Sequence, residues 1–349
     1  MRKYVGWRNW AVLTYNSAME NVFVIFYIGL RSQLSSLFFV LDFFAFFLFS
    51  VLSTTYGYLV NDLADRKLDL LHGKDNTFQG DTPFKAAAIV LLFLTLSILF
   101  GLNFANRRFF LILWLCWIFL ATFYSLKPIR LKERGKLGLI LVVIAQRVLP
   151  TLIMFAAFRY YDWIDIAVFT TYIFLRGLSS DMNHQLEDYE KDISTGTDTY
   201  AARAGLSGAQ TTFRFSLEIE KMLLAPCLLV MYFKLSSPSL YGFSLILPLL
   251  VFYLFLYGLT LFQVIWKRQK DVNPFVPRRK DIFQFIHHTF PSVLMPLYLL
   301  VLLVYQTWLF LPLFLFFAVY RRLYSVNLIT NSLLVQLIRK MAQPKKMLS

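Results

Sequence analysis

The chain of 349 residues is poor in the residues that staple, chelate or reverse direction. It has two cysteines and four histidines. Cys116 and Cys227 both lie in apolar runs, so they supply neither a disulfide framework nor a zinc pattern. There is no His-based metal motif, no Walker loop, no dinucleotide-binding glycine pattern and no internal repeat. A basic leader with a short apolar core and a small-residue cleavage site is also missing, so no removable signal peptide is expected. Acidic residues number only 20 against 35 Lys and Arg, a net charge of +15. Such an excess can mark a nucleic-acid binder, but its distribution argues otherwise.

What the chain has in abundance is apolar sequence. It is 58% hydrophobic, with 37 Phe and 19 Tyr, where a soluble domain has roughly 45–50%. Long apolar runs predict nine membrane spans, at approximately 10–30, 35–60, 85–102, 108–126, 137–158, 162–180, 217–235, 243–265 and 289–320. The fold class is therefore all-α, a polytopic membrane bundle of about nine transmembrane helices. The first span carries Asn16, Glu20 and Asn21. The last is too long for one upright helix, since about 20 residues cross the hydrocarbon. It reads as one tilted helix, or as a span plus a re-entrant piece around Gln306.

The basic residues orient these spans. The N-terminus and the loops after the second, fourth, sixth and eighth spans hold 21 of the 35 Lys and Arg, the alternate loops 5. Cytoplasmic loops carry the Lys/Arg excess, so the first set is expected in the cytoplasm. This accounts for the net charge with no nucleic-acid partner. Residues 323–340, "LYSVNLITNSLLVQLIRK", read as an amphipathic helix on the membrane surface. The expected organisation is a transmembrane domain over 1–322 and a basic amphipathic tail over 323–349.

Two acidic clusters then stand out. In "YLVNDLADRKLDLL", Asn61, Asp65 and Asp69 are four apart and Asp62 lies three before Asp65, one face of a helix just leaving the second span. In "SSDMNHQLEDYEKDISTGTDT", Asp181, Gln185, Asp188 and Asp192 are spaced four, three and four, again one helical face, past the sixth span. A single acidic helix end is usually a solvated cap. Two of them on the same side are a different matter. Carboxylate-only sites suit hard, oxygen-seeking cations, and Mg²⁺ takes one or two carboxylates, several waters and substrate phosphates. A diphosphate bridged by Mg²⁺ across two acidic faces is the chemistry this pattern supports, with the ions neutralising the leaving group.

Counter-charge is near at hand. The loop "YSLKPIRLKERGKLG" places Lys127, Arg130, Lys132, Arg134 and Lys136 beside Tyr124. Arg134 and Lys136 serve equally as positive-inside anchors, whereas Lys127 and Arg130 are placed to reach phosphate oxygens. Arg147 sits mid-span in "LILVVIAQRVLPTLIMF". An ionisable residue there faces the bundle interior and has a partner, with the acidic clusters or a bound diphosphate as candidates. Arg176 is expected to pair with a neighbouring carboxylate. His184 is placed to touch a phosphate or the acceptor, or simply makes a structural hydrogen bond. His287 and His288 read as interfacial. Glu20 and Asn21 line an acceptor pocket or are satisfied by neighbouring helices.

These residues carry a resemblance. "NDLADRKLD" has the form N-D-x-x-D-x-x-x-D and "DYEKD" the form D-x-x-x-D. Together, in an all-helical membrane chain, they resemble the UbiA superfamily of intramembrane prenyltransferases. "YSLKPIRLKERG" is similar to that family's Tyr-Ser-x-x-Pro-x-Arg-x-Lys loop, and "TGTDTYAARAG" to the run after its second motif. The resemblance spans roughly 10–320. It implies a central cavity with both motifs at its cytoplasmic rim, and Mg²⁺ ions bound to a prenyl diphosphate. Metal binding would fall to Asn61, Asp62, Asp65, Asp69, Asp188 and Asp192, and Asp181, an extra acid upstream of the family's second motif, joins them on its spacing. Substrate contacts would fall to Asn61, Tyr124, Lys127, Arg130, Lys132 and His184, and the catalytic centre to Asp65, Asp188 and Arg147. Many members follow the first motif with Arg-Thr-x-x-Arg-Pro; here the loop reads "LLHGKDNTFQGDTPFK".

The resemblance thus implies a Mg²⁺-dependent enzyme of the cell (inner) membrane, its active-site loops facing the cytoplasm. It would transfer a prenyl group from a polyprenyl diphosphate to a quinone precursor or another lipid-soluble or interfacial acceptor, in contact with membrane lipids. A polyprenyl-phosphate phosphoribosyl (or other sugar-phosphate) transferase would use the same site. An ion-coupled transporter is the rival of another class. It fits less well, because the acids gather at one face and no repeated half with broken helices is seen.

Overall fold

The computed structural model describes residues 2–5, 16–32, 37–71, 73, 75–235, 239–240, 243–269, 272–276 and 281–324. Most of the tail, 325–349, and the first residues of the first expected span lie outside them. The chain divides into two compact units. The first comprises Met1–Ile28 and Leu41–Cys227, the second Gly29–Val40 and Leu228–Ser349.

The described residues are overwhelmingly helical. After a short turn at Ser17–Glu20, the helices are α1 (Phe23–Arg31), α2 (Leu37–Leu71), α3 (Pro83–Gly101), α4 (Phe110–Ser125), α5 (Lys136–Ala157), α6 (Trp163–Glu187), α7 (Tyr189–Thr195), α8 (Tyr200–Lys234), α9 (Leu247–Ile265), α10 (Ile282–Gln306) and α11 (Leu311–Tyr320). One antiparallel pair of two-residue strands, Ser239–Leu240 and Phe243–Ser244, belongs to the second unit. Local chemistry marks the helix starts. Thr82 accepts from Lys85 N at 3.2 Å ahead of Pro83, and Asp162 Oδ1 accepts from Ile164 N at 3.1 Å, both satisfying first-turn amides.

Five helices, α2, α3, α5, α9 and α10, are long and apolar enough to cross a membrane. The other four expected spans fall on α1 and α4, which are short, and on α6 and α8, which are long but more polar. The overlong last segment resolves into α10 and α11, parted at Thr307, whose φ of −160° and ψ of 138° are extended. Apolar residues lie outside as well as inside. On α4, Trp114 and Trp117 are buried while Leu111, Ile112, Leu115 and Phe119 are exposed. A helix apolar all round belongs in a large core or in lipid.

In the first unit, Phe46, Phe49, Phe104, Phe110 and Trp114 form one aromatic cluster, with neighbouring centroids 5.3–6.3 Å apart. In the second, Phe39 meets Phe310 edge-on at 5.8 Å and Tyr253 packs on Phe290 at 5.0 Å. Between lipid-embedded helices, packing of this kind supplies the cohesion that water exclusion supplies elsewhere.

α5 is not α-helical throughout. Residues Ile144–Val148 form a π-helical turn that holds Arg147. Gly177 on α6 lies directly against it. A Cβ at Gly177 would fall 2.5 Å from Arg147 Cγ and 2.9 Å from Val143 Cγ1, so only glycine allows this approach. Gly177→Ala is therefore expected to lower stability by about 1–3 kcal/mol, the usual range for overpacking. A thermal melt of the purified protein in detergent checks this; an unchanged midpoint would mean that α5 and α6 can separate freely there.

Candidate functional site

All the charged residues singled out above, from Glu20 to Asp192, lie in the first unit. α2 continues without a break from its apolar part through Asn61, Asp62, Asp65 and Asp69. Each of these has a local partner. Ser125, at the end of α4, donates to Asn61 Oδ1 at 2.6 Å. Thr77 N donates to Asp62 Oδ2 at 3.3 Å, and Asn76 Nδ2 donates to Asp69 Oδ2 at 2.8 Å. Asp65 is paired with two cations of the basic loop, Arg130 at 3.2 Å and Lys132. Burial pulls the Lys132 ammonium below its ordinary value, and Asp65 only partly opposes this.

The basic loop is held from both sides. Its 3₁₀ turn, Leu131–Glu133, rests on the start of α5 at Gly138, where a Cβ would fall 2.7 Å from Leu131 O. Beyond it, Gly135 N donates to Asp198 O at 3.2 Å, and Gly135 forms a parallel bridge with Thr199. The loop after the first motif's partner helix and the loop after the second motif are thus stitched together. Lys127 is exposed, and no carboxylate pairs with it among the described residues.

The second motif departs from a single helical face. α6 ends at Glu187, Asp188 sits at the junction with φ −90° and ψ 2°, and α7 carries Asp192. Asp181 and Gln185 lie on one helix and Asp192 on the next. Gln185 Oε1 accepts from Ala201 N at 3.1 Å, and Asp192 Oδ2 accepts from Thr199 Oγ1 at 3.0 Å. His184 Nε2 lies 3.7 Å from Asp188 Oδ2, both toward solvent. α8 follows, with its backbone broken at Gly205.

Tyr124 joins the two clusters. It is within electrostatic reach of Asp65 from the first motif and of Asp181 and Asp192 from the second. Arg147 has a different direct partner from those expected. Its guanidinium pairs with Glu20, while Asp181 lies within its electrostatic range. Arg176 takes Asn21 Oδ1 at 3.0 Å. Glu20 and Asn21 thus answer the two interior arginines.

The oxygens fit a hard cation. Every candidate ligand is a carboxylate or amide oxygen, the donor type Mg²⁺ selects. Asp181 Oδ2 is buried with no hydrogen-bond partner among the described residues. No three His, Cys, Asp or Glu of the described residues converge closely enough to hold a metal alone. An ion there would complete its shell with waters and phosphate oxygens, as Mg²⁺ does.

The family model for the UbiA prenyltransferase family matches residues 22–289. The chain belongs to that family. It is an enzyme of the prenyltransferase class. Its fold is similar to a UbiA homologue from Archaeoglobus fulgidus bound to DMAPP and Mg²⁺, with 18% identity, a TM-score of 0.55, and coverage of 86% of this chain and 99% of that one. The same homologue bound to GPP and Mg²⁺ gives 17% identity, a TM-score of 0.56 and the same coverage. A structure concerning digeranylgeranylglyceryl phosphate synthase gives 14% identity and a TM-score of 0.52 over 87% of this chain and 97% of that one. At these identities the likeness is one of fold. No curated protein matches the chain.

Reading the sequence alone missed Asn76, Thr199, Gly138 and Gly177. The glycines carry no chemical signal, and Asn76 and Thr199 act from loops whose path no periodicity reveals. It also missed Asp81, whose carboxylate takes Lys85 at 2.8 Å, Lys3 at 3.0 Å and the Tyr4 hydroxyl at 2.9 Å. Lys85 first, then Lys3, hold this carboxyl well below the usual range. A depressed folded-state pKa stabilises above the unfolded value and is lost as pH falls through the folded one. Asp81→Asn is therefore expected to lower the melting midpoint equally at pH 7 and pH 5. The difference should shrink only below about pH 4, near the unfolded Asp value. Melts of both proteins across that range check it, and a difference that grows on acidification would reverse the sign.

Proposed function

We propose that the chain is a Mg²⁺-dependent intramembrane prenyltransferase acting on a polyprenyl diphosphate. The prenyl group passes to a quinone precursor or another acceptor of lipid biosynthesis. The observation that carries this reading is the basic loop, which pairs with Asp65 through Arg130 and Lys132 and bridges at Gly135 to Thr199, whose hydroxyl holds Asp192. The solved homologues bound to DMAPP or GPP with Mg²⁺ lend it support.

In this reading Asn61, Asp62, Asp65 and Asp69 would hold metal from one side, and Asp181, Asp188 and Asp192 from the other. Bound Mg²⁺ would neutralise the negative charge that grows on the leaving diphosphate. Lys127 meets the diphosphate as an unengaged cation. Arg130 and Lys132 orient it while they fix Asp65, Arg serving through its planar fork. Tyr124 lies at the junction where the bond to the prenyl carbon breaks and its electron pair leaves with the diphosphate. His184, on the solvent side, is placed to meet phosphate or acceptor. Arg147, ion-paired with Glu20, would act on Asp181 from a distance and not on the diphosphate directly.

The membrane setting follows the same logic. The Lys and Arg distribution supports acidic ends facing the cytoplasm of a cell (inner) membrane. A transmembrane domain over 1–322 would precede a basic tail on the membrane surface. Asp65→Ala and Asp188→Ala should each lower Mg²⁺-dependent diphosphate release by more than about 100-fold, beyond the usual loss for an outer-shell change. The assay incubates purified protein with Mg²⁺, labelled prenyl diphosphates and a membrane extract, and identifies the product by mass spectrometry. Turnover like that of the wild type in either variant sinks the two-motif site.

A further inference from the structure

The loop that lacks the family's Arg-Thr-x-x-Arg-Pro run does something else in this protein. Residues 75–82 fold back along the polar end of α2. Asn76 is the centre of this strap. Its Nδ2 donates to Asp69 Oδ2 and to the backbone oxygen of Asp62, each at 2.8 Å. Its Oδ1 accepts from Phe78 N at 2.9 Å. Both amide protons and the carbonyl are engaged, so the side chain has one permitted orientation. Thr77 N adds a bond to Asp62 Oδ2 at 3.3 Å. Phe78 is fully buried and Asn76 almost so, anchoring the strap from beneath.

The far end is fastened as well. Asp81 is bound by Lys3, Tyr4 and Lys85, and its backbone oxygen accepts from Arg66, one turn along the same face of α2 from Asp62. The strap therefore touches α2 at three successive levels, through Asp69, Asp62 and Arg66. Where the family's loop would bring arginines, this chain brings an amide that grips the Asp69 carboxylate and the Asp62 backbone, while the next residue's amide meets the Asp62 carboxylate.

The geometry points to Asn76 as a positioning residue for a divalent ion, holding Asp69 by its carboxylate and fixing the strap whose Thr77 amide holds the Asp62 carboxylate. This rests on the metal-dependent reading above and assigns Asn76 no contact with substrate. Residues that orient metal ligands through hydrogen bonds typically change metal affinity about 10–100-fold when removed. Asn76→Ala deletes the donor. Asn76→Asp deletes it and sets a second carboxylate beside Asp69, where like charges repel.

The test is Mn²⁺ binding by the full-length protein in lipid nanodiscs, followed by electron paramagnetic resonance, with a non-ionisable thio-analogue of a prenyl diphosphate present. Both variants should need about 10–100-fold more Mn²⁺ for half-occupancy, the Asp variant more than the Ala. Turnover at saturating Mg²⁺ should fall far less. Unchanged Mn²⁺ midpoints in both variants overturn the inference and leave the prenyl-transfer reading intact. Wild-type protein that binds no Mn²⁺ with the analogue brings down that reading, and the inference with it. Should neither variant fold, amide hydrogen exchange on the wild type decides. The Thr77 and Phe78 amides should be protected and become more so with Mn²⁺ and analogue; free exchange in both states overturns the role given to the strap.

Discussion

The acidic end of α2 depends on how Asp65 is neutralised. A carboxylate this close to apolar helix, with Asp62 and Asp69 on neighbouring turns, repels its own kind and gains little from bulk water. Arg130 and Lys132 resolve this by bringing positive charge from a loop 65 and 67 residues away in sequence. That pairing fixes where the loop sits, and the loop in turn fixes Gly135 against Thr199. The second motif is thereby tied to the first through backbone. Charge balance at one carboxylate organises the meeting of both motifs.

The same principle recurs deeper in the first unit. Arg147 and Arg176 lie on helices α5 and α6 within the bundle, where an unbalanced charge would be costly. At the edge of the short turn before α1, Glu20 balances the charge of Arg147, and Asn21 gives Arg176 a neutral acceptor. A segment that looks too polar for a membrane span is therefore the one that the interior arginines require. Its polarity is complementary to residues more than 120 positions later.

Much of this was legible in the sequence, for reasons that differ from residue to residue. Asp62, Asp65 and Asp69 share a helical face because a spacing of three and four is unaffected by tertiary context, and α2 runs through them unbroken. The spacing of Asp181, Asp188 and Asp192 looks the same on paper. There the helix ends at Glu187, and Asp192, on the next helix, accepts from Thr199 in the loop that follows. Periodicity assumes a continuing helix and cannot report where a neighbour interrupts it. The length of the last apolar run correctly ruled out a single upright helix. Thr307 is where the break falls, but β-branching alone gives no such signal in a run of Leu and Tyr. The count of nine spans followed apolar runs, and α6 and α8 were counted on their apolar parts alone; taken whole, both helices are more polar than the five that are long and apolar enough to cross a membrane.

The π turn over Ile144–Val148 carries a consequence of its own. A π turn accommodates an extra residue in the helix, and each residue of an α-helix advances about 100° around its axis. The part of α5 before the turn and the part after it are therefore out of phase. Before the turn Leu139, Val142 and Val143 are buried along one face, while after it residues 153–157 are all buried. Substitutions along α5 have to be sorted into two registers, with Arg147 as the marker at which one gives way to the other.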